Sequence, residues 1–424
     1  MTNSRKENNE AFVWIWLPKE TTPIVAGRLE TENGSTHFNY GRSYLERVND
    51  TLPAMAIYEK ELPLKAGVLP LLDGLTMPGC IRDAAPDAWG RRVIMNKRLG
   101  AKGSQADTED LDELTYLLES GSDRIGALDF QHSATVYEPR CALNTTLEEL
   151  QNSAERVEKG IPLTEDLDRA LFHGSSIGGA RPKALIEDID KKYVAKFASS
   201  SDLYSVVKAE FIAMRLAALA GLDVAPVHLT KSANKDILLI ERFDRVKTEQ
   251  GWQRKIMVSA LTLFEFDDMN ARYASYEDLA GIIRHTFDDP GNTLRELFSR
   301  LAFNILCGNN DDHARNHAAF WNGKSLSLTP AYDICPQNRT GFIASQAMRI
   351  VGHENQSQRA TCLKTAHNFL LSEDQAMDIF ETQQSVIENN WDAVCEEAEL
   401  SQVDKEHFFG RQFLNPFVFQ EPTR

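Results

Sequence analysis

No apolar run in this 424-residue chain is long enough to cross a bilayer. The longest, residues 11–17 (AFVWIWL), falls far short of the about 20 residues that a spanning helix needs. The polar start (MTNSRKENNE) has no apolar stretch and no small-residue cleavage site, so a secretory signal is not expected. Cysteine is scarce: Cys80, Cys141, Cys307, Cys335, Cys362 and Cys395 are scattered with no CxxC pair. That excludes a zinc ribbon and suits reduced thiols in a cytoplasmic protein. Positive charge is also short, with 46 Lys and Arg against 62 Asp and Glu and a net charge of −16. Phosphate backbones repel such a chain, so any DNA contact is expected through a basic partner. No repeat of about 20–50 residues and no low-complexity tract is visible. What remains is ordinary globular usage, 42% apolar and 25% charged. The length suggests about three units, or one large two-lobed domain.

Along the chain, the first ten residues read as loose. Residues 12–17 read as a buried strand, followed by a turn at Asn33-Gly34. Residues 83–95 read as a helix after Pro86, and 103–113 as an exposed acidic loop. The span 174–245 is strand-rich. Residues 184–187 and 192–197 flank a polar bend at 188–191, a hairpin pattern. A helix over 204–220 stops at Gly221. A second hairpin joins 227–230 to 237–243 through a turn at 234–236. Beyond Arg245 the pattern is mostly helical. Thr293 and Glu296 form an expected capping box ahead of Leu294, Leu297, Phe298, Leu301 and Ile305, and Gly308 ends that helix. A mixed part followed by an α-rich part predicts a cleft between them.

The most informative segment is 308–334 (GNNDDHARNHAAFWNGKSLSLTPAYDI). Asn322-Gly323 predicts a two-residue type I′ hairpin loop with Trp321 opposite Lys324. Extending that ladder sets Asn316 opposite Thr329 and gathers Asp311, Asn316 and Asp333 at one end. Two carboxylates and a carboxamide make a hard-oxygen site of the kind Mg²⁺ takes, with substrate phosphates completing its shell. Protein kinases use these parts: a catalytic Asp, an Asn five residues on that holds metal, and a later metal-binding Asp. Any one of these residues alone would more often be a cap or a turn residue. Four upstream features support the set. Lys196, in the strand YVAKF, can reach nucleotide phosphates. Glu210, on the following helix, either pairs with Lys196 or belongs to a solvated face near Lys208, and both readings stand. The loop 174–183 (GSSIGGARPK), with Gly178 and Gly179, lets backbone N–H groups approach phosphate oxygens, though it is neither GxGxxG nor a Walker A loop. The strand 237–245 (ILLIERFDR) can line an adenine pocket and present backbone groups at Glu241 to Phe243.

On these motifs the chain resembles the HipA family, bacterial Ser/Thr protein kinases that act as toxins of toxin–antitoxin pairs. The likeness runs over nearly the whole chain. It is most specific at 310–316 (NDDHARN) and 328–334 (LTPAYDI), and is supported at 176–183, 193–197, 241–245, 83–90 (DAAPDAWG) and 123–128 (DRIGAL). The resemblance implies Asp311 as catalytic base, Asn316 and Asp333 as Mg²⁺ ligands, and Lys196 on the ATP phosphates. It places Glu241 and Phe243 at the adenine hinge, with His313 and Glu210 in support. Ser176 matches the loop serine such kinases phosphorylate on themselves, with Ser175 as the neighbouring candidate. Departures are Asp312 and Arg315, where Gly and Lys are frequent, Asp333-Ile334-Cys335 in place of Asp-Phe-Gly, and Arg181-Pro182 in the loop.

The expected fold is α+β, two-lobed and kinase-like. Residues 1–140 form an N-terminal subdomain, 141–245 a kinase N-lobe with phosphate loop and hinge, and 246–424 an α-helical C-lobe. The expected activity is ATP- and Mg²⁺-dependent phosphorylation of a protein, an aminoacyl-tRNA synthetase being the target class of characterised relatives. The implied partner is a helix-turn-helix antitoxin that makes the DNA contact. The alternatives are an inactive kinase fold that binds a DNA-binding antitoxin, and a small-molecule kinase. The complete catalytic set ranks the first lower, and the large N-terminal part speaks against the second.

Overall fold

The computed structural model describes residues 9–99, 111–141, 145–161, 179–199, 202–339 and 341–420. The N-terminal part builds on strands β1 (Glu10–Ile15), β2 (Ile24–Glu32) and β3 (Ser35–Tyr40), then helices α1 (Ala88–Leu99) and α2 (Glu113–Glu119), and strand β4 (Leu128–Gln131). The antiparallel sheet has the order β3-β2-β1-β4. Asn33 and Gly34 take φ of 52° and 79° between the paired Glu32 and Ser35, a two-residue turn with both central residues left-handed. The helix expected after Pro86 starts at Ala88, just past the Pro86-Asp87 pair. Of the expected acidic loop, residues up to 110 lie outside the described ones, and Asp112 caps α2 by accepting the Thr115 N–H at 2.8 Å.

A second antiparallel sheet follows helix α3 (Leu147–Glu158). Its strands are β5 (Lys183–Glu187) and β6 (Lys192–Phe197), then, after helix α4 (Val206–Leu219), β7 (Val227–Ser232) and β8 (Lys235–Glu241), in the order β5-β6-β8-β7. Side chains alternate faces along a strand. Ala184, Ala195, Phe197 and Ile237 therefore share one face, where Trp89 and Val93 of α1 and Leu150, Ala154 and Val157 of α3 cover them. Lys183, Val194, Lys196, Leu238 and Ile240 share the other, because Lys183 pairs with Lys196 and Lys196 with Leu238. The first hairpin turns at 188–191 as expected. The second turns at Ala233-Asn234 (φ 45° and 62°) rather than at 234–236, since the Ser232–Lys235 pair extends the ladder and puts Asn234 last in a two-residue loop. Gly221, at φ 84°, ends α4.

The C-terminal part opens with the hairpin β9 (Arg245–Thr248) and β10 (Gly251–Arg254), then strand β11 (Ile256–Ser259). Helices α5 (Tyr276–Thr286) and α6 (Pro290–Cys307) lead to β12 (Ala318–Trp321) and β13 (Leu326–Leu328), followed by α7 (Arg359–Thr365) and the long α8 (Glu373–Glu397). One continuous core joins the first sheet, α4, α5, α6 and α8. The expected cap at Thr293 is not the one used. Asp289 caps α6, its carboxylate accepting the Asn292 N–H at 3.3 Å, with Pro290 in the first turn, and Glu296 instead accepts from Arg300 at 2.8 Å. An Asp-Pro pair is a complete start signal on its own and preempts one placed a turn later.

The expected register of the Asn322-Gly323 hairpin also needs correction. Trp321 pairs with Leu326 rather than Lys324, and the Thr329 N–H donates to the Ala318 carbonyl at 3.0 Å. The loop has four residues. The Asn322 side-chain oxygen accepts the N–H groups of Lys324 (2.9 Å) and Ser325 (3.0 Å), and Gly323 takes φ 92°. A Cβ on Gly323 would lie 2.5 Å from Met55 Sδ, so tertiary packing against the N-terminal part selects this loop over the local type I′ turn. A shift of two residues preserves which face each side chain occupies. Asn316 and Asp333 line one cavity, and Asp311 lies on the same loop as Asn316.

The two parts are joined by buried charge. Asp123 accepts from Lys192 (2.7 Å), Arg242 (3.1 Å) and Arg245 (2.8 Å), while Asp244 accepts from Arg242 (2.8 Å), Arg245 (2.9 Å) and the Gly126 N–H (2.8 Å). Burial opposes the Asp244 charge, but Arg242 and Arg245 outweigh it and draw its pKa down to about 2. A carboxylate with a lowered folded pKa stabilises above its unfolded value, about 3.9, and loses that contribution as pH falls through the folded one. The stability difference between the wild type and Asp244→Asn, measured by urea denaturation, is therefore expected to shrink by about 1.5–2 kcal/mol between pH 4 and pH 2. A difference that stays constant over that window would mean that Asp244 is not held by these arginines.

Candidate active site

Lys196 is the centre of the site. Period 2 along β6 turns it away from Ala195 and Phe197 and toward α4, where it is 7% exposed. Its ammonium donates to Glu210 Oε1 at 2.6 Å and to Asp333 Oδ1. Burial disfavours the ammonium, yet Asp333 and Glu210 outweigh that and hold its pKa above the ordinary lysine value. Asp333 shows the converse: burial opposes its charge, but Lys196 and Lys183 keep its pKa well below the usual carboxylate range. The solvated-face reading of Glu210 is thus set aside, since the residue is buried and engaged. Lys183, which sequence reasoning missed, lies beside Lys196 on the paired strand. Burial and the neighbouring Lys196 bring its pKa down to about 8. Its signal was the register, since Lys183 and Lys196 sit symmetrically about the expected bend.

The loop carrying Asp311 and Asn316 leaves α6 at Gly308, which is left-handed at φ 73°. A Cβ there would lie 2.6 Å from the Gln412 carbonyl oxygen, so the close approach and the φ both call for glycine. A single 3₁₀ turn, Ala314–Asn316, brings Asn316 back on the loop, and its side-chain NH₂ donates to the Asp311 carbonyl at 3.2 Å. The Tyr332 hydroxyl donates to the Arg315 carbonyl at 2.7 Å and ties this loop to the one bearing Asp333. Asp333 itself is left-handed at φ 60°. Partial loss of water raises the pKa of Asp311, with Asp333 adding to the effect and His313 opposing it, so the two carboxylates lie within electrostatic reach of each other.

Asp312, a departure at the sequence level, has a structural job. It is 2% exposed and accepts from the Tyr276 hydroxyl of α5, Asn304 Nδ2 of α6 (2.8 Å) and His317 Nε2 (2.9 Å). The segment from 311 to 316 is thereby fixed to two helices from behind.

These parts surround a cavity of about 410 Å³. Lys196, Gly179, Glu241, Phe243, His313, Asn316 and Asp333 all line it, with Glu210 behind Lys196 and Asp311 exposed on the same loop as Asn316. Ser175, Ser176 and Gly178 lie outside the described residues. Val194, Ile240 and Met257 supply apolar wall, and Asp83, Asp87, Ile125 and Leu128 bring the N-terminal part into it. Of the expected hinge amides, Glu241 N–H donates to the Pro226 carbonyl (2.9 Å) and Arg242 N–H to the Lys192 carbonyl (2.8 Å), so two of the three are already engaged. The Glu241 carboxylate turns to Lys191 at 2.6 Å. Among the described residues, no three of His, Cys, Asp and Glu converge as a metal cluster. The donors present, two carboxylates and a carboxamide, suit Mg²⁺, which usually takes one or two protein carboxylates and leaves room for phosphate.

The HipA N-terminal domain matches residues 18–131, and the HipA-like C-terminal domain matches residues 175–391. The chain belongs to the HipA family. Relatives include the "Serine/threonine-protein kinase toxin HipA" of Shewanella oneidensis, 28% identical over 187 residues, which are 38% of this chain and 42% of that protein. A "Putative kinase" of Haemophilus influenzae is 28% identical over 179 residues, 38% of this chain and 52% of that one. "Putative kinase Y4mE" of Sinorhizobium fredii is 28% identical over 130 residues, 30% of this chain and 31% of that one. The chain thus spans about a third to a half of the length of the curated relatives it matches. A chain of the solved Shewanella oneidensis complex of HipA, HipB and operator DNA is similar in structure, with a TM-score of 0.65 at 19% identity, over 91% of this chain and 92% of that one. The fold is the two-lobed, kinase-like α+β fold of the HipA family.

Replacing Asp312 by Ala leaves the Tyr276 hydroxyl, the Asn304 amide and His317 without their buried acceptor, and is expected to cost about 2–4 kcal/mol in urea denaturation. A loss under about 0.5 kcal/mol would show that the loop is held by its other contacts.

Proposed function

We propose that this HipA-family protein is an ATP- and Mg²⁺-dependent Ser/Thr protein kinase. The observation that carries the reading is the three-way junction of Lys196, Glu210 and Asp333 on the wall of the cavity that Asn316 also lines. Residues 1–140 are the N-terminal subdomain, 141–245 the N-lobe and 246–424 the C-lobe. Adenine sits against Ile240 and Phe243, with hinge backbone at Glu241 to Phe243, and the triphosphate runs toward Lys196. Asn316 and Asp333 would hold Mg²⁺, whose chemistry would be to supply positive charge that offsets the negative charge of the phosphates. When nucleotide arrives, its phosphates compete with Asp333 for the Lys196 ammonium, while Glu210 keeps that ammonium in place. Asp311, exposed on the loop that also carries Asn316, accepts the proton of the target hydroxyl. His313 supports Asp311 by its charge when protonated. Positioning and fixed charge do most of the work in such a transfer.

The protein target belongs to the class implied by the resemblance, an aminoacyl-tRNA synthetase. Ser176, or its neighbour Ser175, is the self-phosphorylated residue. A phosphate on that residue would add about −1.5 to −2 charge a few residues before Gly179, which lines the cavity, and would oppose nucleotide binding. The partner is a helix-turn-helix antitoxin, and the net charge of −16 fits DNA contact made through it. The reduced cysteines and the absence of a spanning helix among the described residues accord with a cytoplasmic setting.

Purified protein with radiolabelled ATP and Mg²⁺ is expected to label itself or an added synthetase. Asp311→Ala should lower labelling by about 10²–10⁴-fold. Glu210→Ala, which lets Lys196 drift, should lower it by roughly a hundredfold. No labelling by the wild type, or equal labelling by Asp311→Ala, would sink the kinase reading.

A further inference from the structure

The cavity has a wall from outside the kinase lobes, and that wall grips the chain just where the phosphate loop joins β5. Asp87 directly precedes α1, and its carbonyl accepts the Arg91 N–H at 2.8 Å. Its side chain does not cap its own helix. The carboxylate instead accepts the Gly179 N–H at 2.6 Å. The Trp89 N–H, which a helix start leaves without an intrahelical partner, donates to the Gly179 carbonyl at 3.2 Å. The Trp89 indole N–H donates to the Lys183 carbonyl at 3.0 Å. The first turn of α1 therefore brackets the Gly179 residue from both sides and fixes the backbone of Lys183. Trp89 is 0% exposed in the core beneath the sheet, so the bracket is anchored rather than laid on the surface.

Gly179 is held at φ 96°, and a Cβ built there would collide with the Lys183 ammonium. That ammonium lies across the bare Cα of Gly179, and Gly179, Lys183 and Lys196 all line the cavity. A charge-assisted hydrogen bond to Asp87 thus sets the peptide on which a cavity lysine rests. The cost is a carboxylate close to where phosphate would bind. A charge of the wrong sign in such a place is expected only if its hydrogen bond is worth more than its repulsion.

We infer that Asp87, with Trp89, is a positioning residue for the nucleotide phosphates, acting through Gly179 and Lys183. The N-terminal subdomain is in this view part of the nucleotide site. The inference rests on the kinase reading above, and the experiment separates the two. Isothermal titration of the full chain with a non-hydrolysable ATP analogue and Mg²⁺ gives the affinity for base plus phosphates, and titration with adenosine gives that for the base alone. Asp87→Ala is expected to weaken the analogue about tenfold or more and to leave adenosine unchanged. Asp87→Asn is expected to stay within about threefold of the wild type, since its carboxamide oxygen can still accept the Gly179 N–H. Trp89→Phe keeps a ring in the core, deletes only the indole donor, and should weaken the analogue about threefold or more. It carries the test if Asp87→Ala does not fold. Equal or tighter analogue binding by both Asp87 variants would show a neighbouring charge and no positioning role. A parallel loss of adenosine and analogue would show general loosening. Either result overturns the inference while the kinase reading stands. A wild type that binds neither ligand would take down both.

Discussion

Everything in the cleft depends on one buried ammonium held between two carboxylates that come from different parts of the chain. Lys196 is on a strand, Glu210 on the next helix, and Asp333 more than a hundred residues later. A buried lysine with one partner removed is expensive, because the remaining charge is uncompensated in a medium that screens poorly. The three elements are thus tied by mutual need: the sheet cannot bury Lys196 unless α4 delivers Glu210, and Asp333 keeps its charge only beside the lysines. The same mutual need makes the site responsive. Asp333 is the partner that faces the cavity, so it is the one a phosphate or a metal ion can draw away. Glu210, enclosed behind, is the one that stays.

The rest of the molecule serves to keep these three elements in register. Asp123 and Asp244 bind Arg242 and Arg245 so that the hinge after β8 is fastened to the loop before β4. Asp312 fastens the loop of Asp311 to α5 and α6. In both cases a buried carboxylate is surrounded by several donors, which is the condition under which a buried charge stabilises geometry rather than weakening it. Stiffness of this kind suits a reaction in which misplacement by an ångström is costly.

Much of this was legible in the sequence because local rules and tertiary structure agreed. The strand of Lys196, the helix of Glu210 and the bend between 187 and 192 follow from alternation, helical spacing and turn residues. The spacing of Asp311 and Asn316 was readable because it is short and set by a single turn. What could not be read was set by distant chain. Asn33-Gly34 forms the tight turn its composition calls for, whereas the identical dipeptide at Asn322-Gly323 does not, because Met55 packs on Gly323 and Asn322 spends its side chain on the loop amides. The start of α6 went to Asp289 because two valid start signals lie within one turn, and local reasoning had no means to rank them. Asp87 and Trp89 were invisible for a plainer reason. Their partners, Gly179 and Lys183, stand about ninety residues away, and nothing local marks a carboxylate as an acceptor for a remote amide.

The overall charge of the chain and the charge of its cleft point in opposite directions, and distance reconciles them. At physiological salt the field of a surface carboxylate is largely gone within about 8 Å, so the excess of acid tells on encounters with long polyanions far more than on an anion already inside a cavity. There the near groups decide. Lys183 and Lys196 lie side by side, each disfavouring the other's charge, and the pair is held protonated in part by Asp333, Glu210 and Asp87. A polyphosphate entering the cleft brings more negative charge than the carboxylate it displaces, and so stabilises both ammoniums at once. A neutral ligand, or a singly charged one, gains no such advantage. Under the proposed kinase reading, the paired lysines would favour a multiply charged phosphate over a neutral or singly charged ligand.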